Sequence, residues 1–383
     1  MRFLHTADWH VGRMIRGRSR AEEHVAVLAE IASIAREQEV DAVLVVGDLF
    51  DTAAPTPEAE RIVYRALLDL ADTGATVIVL AGNHDSERRL QAVEPVLERG
   101  RVITRPVFAK PDEGGVVEVV SRDGSERAKV ACLPFLSQRY VVKAADLMEQ
   151  AASDSTQQYA QRMRLLLAAL AEGFRDDTVN VIAAHCMVDG ATVAGSERTA
   201  HTIFEYAVPS VAFPSSAHYV ALGHLHRQQA VAGPGQIRYC GSPLQLDFGE
   251  VADAKGVLIV DAKLGAPADV RPVLLQSGRR LVALEGTLDE LRAHAGTTGD
   301  AYLKIKVREK SRVGLADEVR ELFPDAVDVV VERPEPEDGQ RATVSRAGLS
   351  PRDLFGAYLT QQGVDDPRLI TLFDELLDEA ATG

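Results

Sequence analysis

Three cysteines in 383 residues, Cys132, Cys186 and Cys240, stand far apart and form no CxxC pair. That scarcity excludes a disulfide framework and a thiolate zinc site, and leaves three small residues suited to a buried or half-buried place. Long apolar runs are missing too. No stretch approaches the roughly 20 residues that a membrane-spanning helix needs, so no membrane association is expected. The opening MRFLHTADWH lacks a long apolar core followed by a small-residue cleavage site, so no secretory signal is visible and a cytoplasmic location is expected. Basic charge is short as well: 42 Lys and Arg against 57 Asp and Glu give a net charge of −15. A chain so acidic does not coat nucleic acid by bulk electrostatics. Any phosphate ligand has to be held locally, by bound cations or by a more basic partner. No internal repeat and no coiled-coil heptad is present.

What is there is an alternation of strand-like and helix-like runs over roughly the first 260 residues, the pattern of an α/β layered domain. Strands are predicted at Arg2 to Ala7, Ala42 to Val46, Thr76 to Leu80, Val179 to Ala184 and Tyr219 to Leu222. Apolar residues recur at helical spacing in Ala21 to Gln38 and in Pro57 to Ala71. Val116 to Val120 and Lys129 to Leu133 flank Arg122-Asp123-Gly124, a hairpin signal for a second set of antiparallel strands. Helices around a central two-sheet sandwich are therefore expected over residues 1–271. From residue 272 to 333 the pattern becomes a smaller α+β unit that caps the first. The stretch 334–349, opening with Pro334-Glu335-Pro336-Glu337-Asp338-Gly339, reads as an exposed linker. A C-terminal helical segment at 350–383 follows, its two helices opened by Ser350-Pro351-Arg352-Asp353 and by Asp366-Pro367.

Polar groups collect at one end of the predicted strands. Asp8-Trp9-His10 ends the first, Gly47-Asp48-Leu49-Phe50-Asp51 the second, Gly82-Asn83-His84-Asp85 the third, His185 the fourth and Gly223-His224-Leu225-His226 the fifth. The carboxyl ends of strands in an α/β sheet share one edge, so these groups can meet in space. The i, i+2 spacing of Asp8 with His10, and of His224 with His226, puts each pair on one side of an extended segment, with Trp9 and Leu225 turned into protein. A lone histidine at a strand end is more often a hydrogen-bonded core or surface residue, and a lone Gly-Asp or Asn-Asp a turn signal. Five such ends together point to metal ligation, whereas His5, His24, His201, His218 and His294 lack that context. Asp, Asn and His without Cys suit Mn²⁺ or Fe²⁺, with Zn²⁺ a further option. Seven ligands are too many for one ion. Two ions about 3.5 to 4 Å apart, sharing a carboxylate and a hydroxide, form an arrangement that hydrolyses phosphate esters.

The motifs HTADWHVGR (5–13), GDLFD (47–51), GNHDS (82–86), GHLH (223–226) and GSPLQLDFGE (241–250), with the His185 strand end, resemble the calcineurin-like metallophosphoesterases. Within them the chain is similar over nearly its whole length to the SbcD family, nuclease subunits of bacterial SbcCD DNA-repair complexes. The resemblance implies one metal held by Asp8, His10, Asp48 and His226 and a second held by Asp48, Asn83, His185 and His224, Asp48 bridging. It makes Mn²⁺ the first candidate, with Mg²⁺, Fe²⁺ and Zn²⁺ as alternatives. His84 matches a histidine that addresses the transition state or the leaving oxygen. In one reading Asp51 orients His84 through a carboxylate–imidazole hydrogen bond and Asp85 caps the helix that follows; in the other the orienting role is Asp85's.

The implied function is a metal-dependent DNA nuclease, acting on duplex ends and hairpins with an SbcC-type coiled-coil ATPase, as a homodimer within a heterotetramer. A cyclic-nucleotide or other small-molecule phosphodiesterase is the alternative. A phosphomonoesterase is disfavoured because its GDxxDRG arginine is missing: Thr52-Ala53 follows Asp51. A non-catalytic scaffold is disfavoured because every ligand position is filled. Arg13, Arg16 and Arg18 after the first motif, with Arg88 and Arg89 after the third, are candidate phosphate contacts; the competing reading pairs such arginines with Glu22, Glu23 or Glu87. At the C-terminus, Leu354, Phe355 and Tyr358 precede a stripe of Leu369, Ile370, Phe373, Leu376 and Leu377. The two short helices need a surface, either the chain's own small domain or, as the resemblance implies, the ATPase.

Overall fold

The computed structural model describes residues 1–137, 155–197, 207–310, 312–331, 351–361 and 366–380. Its centre is a sandwich of two six-stranded sheets. The first is built on β1 (Arg2–Thr6), which is followed by a short hairpin, β2 (Met14–Ile15) and β3 (Arg18–Ser19), and by helix α1 (Ala21–Glu37). β4 (Ala42–Val46), α2 (Pro57–Ala71), β5 (Thr76–Leu80), α3 (Glu87–Leu97) and β6 (Val102–Arg105) complete its parallel part, in the order β1-β4-β5-β6. The second sheet starts with the expected hairpin, β7 (Val116–Val120) antiparallel to β8 (Arg127–Leu133). After α4 (Ser155–Ala171) come β9 (Val179–His185), β10 (Tyr219–Gly223), β11 (Gln229–Val231) and β12 (Gln236–Tyr239); β8, β9, β10 and β12 run parallel.

Alternation along the strands makes three apolar layers, one between the sheets and one on the outer face of each. In β4, Leu44 and Val46 join Phe3, Ile78 and Leu80 to meet Val130, Val181, Ala183 and Ala221 of the other sheet. Val43 and Val45 point the opposite way, onto Val27, Ile31, Leu67 and Leu70 of α1 and α2. Ile182, Ala184, Val220 and Leu222 likewise pack on Met163, Leu166, Leu167 and Leu170 of α4. Both faces of these strands are covered, so they are apolar throughout. All three cysteines are buried and free.

The first sheet closes with β13 (Gly256–Asp261) antiparallel to β1 and with β14 (Asp269–Leu274) antiparallel to β13. The sequence-based boundary at 271/272 therefore falls inside a strand: Pro272 pairs with Leu258 within β14. Proline is tolerated there because β14 is an edge strand, where a missing N–H costs little. A three-stranded parallel sheet follows: β15 (Leu281–Gly286), α5 (Leu288–Arg292), β16 (Tyr302–Val307), α6 (Leu315–Leu322) and β17 (Ala326–Val331). Thr287 opens α5 with the capping box that its Thr-x-x-Glu sequence specifies. Ile15, Phe248, Leu281 and Tyr302 form a small apolar cluster joining this unit to the sandwich.

Residues 333–383 separate as a second compact unit. Its described part is a helix pair, α7 (Pro351–Gln361) and α8 (Pro367–Ala380). Phe355 stacks on Phe373 with ring centroids 4.2 Å apart, and Arg352 pairs with Asp374 at 2.9 Å. Leu354, Tyr358 and Leu376 are exposed. The expected linker and the Ser350 cap lie outside the described residues, as does His201. Among the described residues no helix is long and apolar enough to cross a membrane.

Candidate dimetal site

The polar strand ends meet where the two sheets face each other. Asp8 and His10 follow β1, Asp48 follows β4, and Asn83 and His84 follow β5; His185 ends β9, and His224 and His226 follow β10. The backbone reaches this geometry by a route the spacing does not show. Asp8, His10, Asp48 and His224 all have positive φ, at 53°, 46°, 52° and 103°. Residues 8–10 are thus not extended, and the i, i+2 argument pairs Asp8 with His10 correctly on a wrong backbone. Four non-glycine residues in this region carry a cost of order 1 to 3 kcal/mol each, a strain characteristic of functional sites. The close approach also dictates glycines: a Cβ on Gly82 would run into the Asp48 carboxylate, and one on Gly47 into the His185 ring.

Two groups of donor atoms result. In the first, His10 Nε2 lies 3.1 Å from His226 Nε2, and Asp8 joins them. In the second, Asn83 Oδ1 lies 3.1 Å from His185 Nε2 and 2.8 Å from His224 Nδ1. Asp48 stands between them, its Oδ2 3.5 Å from His10 Nε2 and 3.5 Å from His185 Nε2. Asp48 Oδ1 accepts the His84 N–H at 2.8 Å, and Asp8 Oδ1 accepts the His224 N–H at 2.9 Å. His185 Nδ1 donates to Val46 O at 2.8 Å, which aims Nε2 at the site.

The electrostatics fit a cationic occupant. Asp8 Oδ2 and His10 Nδ1 are buried without a hydrogen-bond partner, a costly state for polar atoms unless an ion or water answers them. Burial raises the Asp8 pKa to about 7. Burial likewise lowers His10 to about 4. For Asp48 burial opposes ionisation, but His185, His84 and His10 outweigh it and hold the carboxylate well below its usual range. For His185 burial is outweighed in turn by Asp48 and Asp8, and its pKa rises to about 9. Asp8 and His185 thus favour protons that divalent ions would displace, while Asp48 keeps its negative charge.

A family model described as calcineurin-like phosphoesterase matches residues 1–228, and one described as type 5 capsule protein repressor C-terminal domain matches 277–363. The chain is 32% identical to the SbcD subunit of nuclease SbcCD from Bacillus subtilis (strain 168), over 98% of this chain and 97% of that one. The chain belongs to the SbcD family of calcineurin-like phosphoesterases. It is also 37% identical to the SbcD subunit from Rhodobacter capsulatus over 70% of this chain and 67% of the relative, and 31% identical to that of Escherichia coli (strain K12) over 76% and 73%.

Within this SbcD-family site two expectations need correction. His84 is oriented by Asp51, but through its backbone: the ring Nδ1 donates to the Asp51 carbonyl at 2.7 Å. The Asp51 carboxylate lies 3.6 Å from His10 Nδ1 and 3.3 Å from Arg13 Nη1 instead. Asp85 does not cap α3, whose N-cap is Ser86. Its carboxylate accepts the N–H groups of Gly82, Leu49 and Phe50 at 2.9, 3.2 and 3.1 Å, tying the turn after β5 to the turn after β4.

The arginines divide. Arg13 is held by Asp51 beside the site, while Arg16 pairs with Asp328 at 3.0 Å and Asp247 at 3.7 Å, joining the hairpin to the small unit. Arg89 pairs with Glu60 at 2.8 Å; Arg18 and Arg88 are exposed. The salt-bridge partners of the competing reading, Glu22, Glu23 and Glu87, are used by none of these four pairs. Glu23 instead binds the fully buried Arg20 at 2.8 Å. His5 contacts Tyr219 Oη at 2.8 Å and Leu222 O at 3.2 Å in the core, away from the ligands.

Sequence reasoning missed several residues. Phe135 lies 6.0 Å from the His224 ring, nearly parallel to it, and 6.2 Å edge-on from His185. Glu197 accepts the His226 N–H at 3.1 Å. Glu250 and Lys255 stand behind His226; Glu250 ends the GSPLQLDFGE motif, a signal that marked the place without a role.

Proposed function

We propose that this chain is a metal-dependent DNA nuclease that hydrolyses phosphodiesters at duplex ends and hairpins, acting in DNA repair and recombination with an SbcC-type coiled-coil ATPase. The observation that carries the reading is the Asp48 carboxylate, equidistant from His10 and His185 between two donor groups. The relation to nuclease subunits over almost the full chain supports it. Asp8, His10, His226 and Asp48 would hold one divalent ion, and Asp48, Asn83, His185 and His224 the other, with Mn²⁺ first and Mg²⁺, Fe²⁺ or Zn²⁺ as alternatives. When bound, the ions supply hydroxide near neutral pH and neutralise charge at the phosphate.

The chain's own residues do the rest. His84, with Nδ1 fixed on the Asp51 carbonyl, presents Nε2 to the substrate and in its protonated form gives a proton to the leaving 3′- or 5′-oxygen. Asp51 also holds Arg13 beside the site as a phosphate contact, and Arg18 and Arg88 are exposed cations that can follow the DNA backbone. Arg16 and Arg89, paired to acids, are weaker candidates. The helix pair is the ATPase-docking element, with Leu354, Tyr358 and Leu376 outermost and Leu369, Ile370 and Leu377 along the same stripe; Phe355 and Phe373 brace the pair itself. Two such nuclease chains and two ATPase chains form a heterotetramer in the cytoplasm. Purified chain with Mn²⁺ or Mg²⁺ is assayed on linear duplex, hairpin DNA and cyclic nucleotides, with and without the ATPase. Cleavage of both DNA substrates, stimulated by the ATPase and ATP, is expected. Hydrolysis confined to cyclic nucleotides would overturn the proposal.

A further inference from the structure

His226 is held from behind by groups that the proposed chemistry does not use. Its ring Nδ1 lies 2.5 Å from Ser196 Oγ, and the same hydroxyl contacts Glu250 Oε1. Glu250 is fully buried. Its second oxygen, Oε2, accepts from Lys255 Nζ at 2.6 Å and from the Leu246 N–H at 3.1 Å. Lys255 also donates to His226 O and to Ser242 Oγ, each at 2.9 Å. Every proton in this relay has one place: ring Nδ1–H to the serine, serine O–H to the carboxylate, ammonium to the carboxylate. That order fixes His226 as the Nδ1–H tautomer and leaves the Nε2 lone pair facing His10 and Asp8.

A buried ion pair is poor evidence for added stability, since apolar residues of similar volume often serve as well. Orientation is what this one provides. The loop that carries it is pinned: Gln245 Nε2 donates to Glu250 O and Val251 O at 3.0 and 3.2 Å, while Gln245 Oε1 accepts the Leu281 N–H of β15 at 2.8 Å. Gly241 completes the wrap, where a Cβ would press on His226 O at 2.7 Å. We propose that Glu250, acting through Ser196 and balanced by Lys255, is a positioning residue that sets the tautomer and aim of His226 and thereby the affinity of the ion shared by Asp8, His10 and His226. The inference rests on the reading of His226 as a metal ligand.

The full-length chain, freed of metal, is titrated calorimetrically with Mn²⁺ as wild type, Glu250→Gln, Glu250→Asp and Ser196→Ala. Wild type takes up two ions. Glu250→Gln and Ser196→Ala each weaken one ion about tenfold to a hundredfold, the usual effect of losing such a supporting group. In Ser196→Ala the other ion keeps its affinity and the metal-free melting temperature stays put, which a merely structural role would not allow; Glu250→Gln, which leaves the Lys255 ammonium without its carboxylate, lowers that temperature as well. Glu250→Asp restores part of the loss, and raised Mn²⁺ restores turnover of a small phosphodiester. Ser196 is half-buried in a loop, so Ser196→Ala decides the matter if Glu250→Gln does not fold. Unchanged affinity for both ions in Ser196→Ala, or equal weakening of both with a lower metal-free melting temperature, overturns the inference alone. A wild type that binds no ion pair overturns the dimetal reading first and this inference with it.

Discussion

Replacing Asp48 by Asn tests the centre of the site with little change of shape. The amide keeps an oxygen for the His84 N–H, which the carboxylate accepts at 2.8 Å, so the turn after β5 should hold. What disappears is the negative charge, buried and 3.5 Å from the ring nitrogens of both His10 and His185. Removing one partner from a buried charge pair costs about 3 to 5 kcal/mol. At about 1.4 kcal/mol per factor of ten, that is about two to nearly four orders of magnitude in affinity, divided between two ions that both lose the same ligand. Metal content after dialysis against micromolar Mn²⁺ and hydrolysis of bis(p-nitrophenyl) phosphate at saturating Mn²⁺ measure the two consequences. Asp48→Asn is expected to retain less than one ion per chain and to lose at least a hundredfold in rate. An Asp48→Asn protein that keeps both ions at wild-type affinity and turns over within tenfold of wild type would refute the shared-ligand reasoning.

Three further outcomes are expected. His84→Ala should lose about 10²-fold in rate while still binding two ions, because the ring is anchored on the Asp51 carbonyl; a fall to one ion would show that His84 is a ligand. Burial lowers the His5 pKa from 6.5 to about 3, so the stability its neutral form contributes is intact above pH 6.5 and is lost as pH falls towards 3. Between pH 7.5 and 5, wild type should therefore lose about 2 kcal/mol more than His5→Asn in urea titrations, and equal losses would refute it. Deleting residues 345–383 should abolish the stable complex with the ATPase yet spare cleavage of small diesters; unchanged affinity in a pull-down or titration would remove the helix pair from the interface.

The strand ends were legible because strands covered on both faces leave long apolar runs in which Asp, Asn and His stand out. The hairpin at Arg122-Asp123-Gly124 was legible for its turn residues. Backbone sign was not: nothing in Asp8-Trp9-His10 announces two left-handed residues around a buried tryptophan. Pairings between distant segments were also hidden. Asp85 holds Leu49 and Phe50 rather than the helix beside it, and Arg16 finds Asp328 more than three hundred residues away, because tertiary contact outcompetes local sequence. Pro272 misled for the opposite reason, since an edge strand forgives what a central strand would not.

Three groups of the candidate site come from one sheet of the sandwich and two from the other. His185 Nδ1 on Val46 O, and the His224 N–H on Asp8 Oδ1, already stitch the seam where they meet. Ions held across that seam would act as rivets as well as reagents, adding their binding free energy only to the closed sandwich. Either half could form its strands and helices and still assemble no complete ligand set. Catalytic competence is then a readout of closure: a partly opened or misdocked chain is silent before it is unfolded. For a nuclease, that coupling would keep partly opened copies from acting.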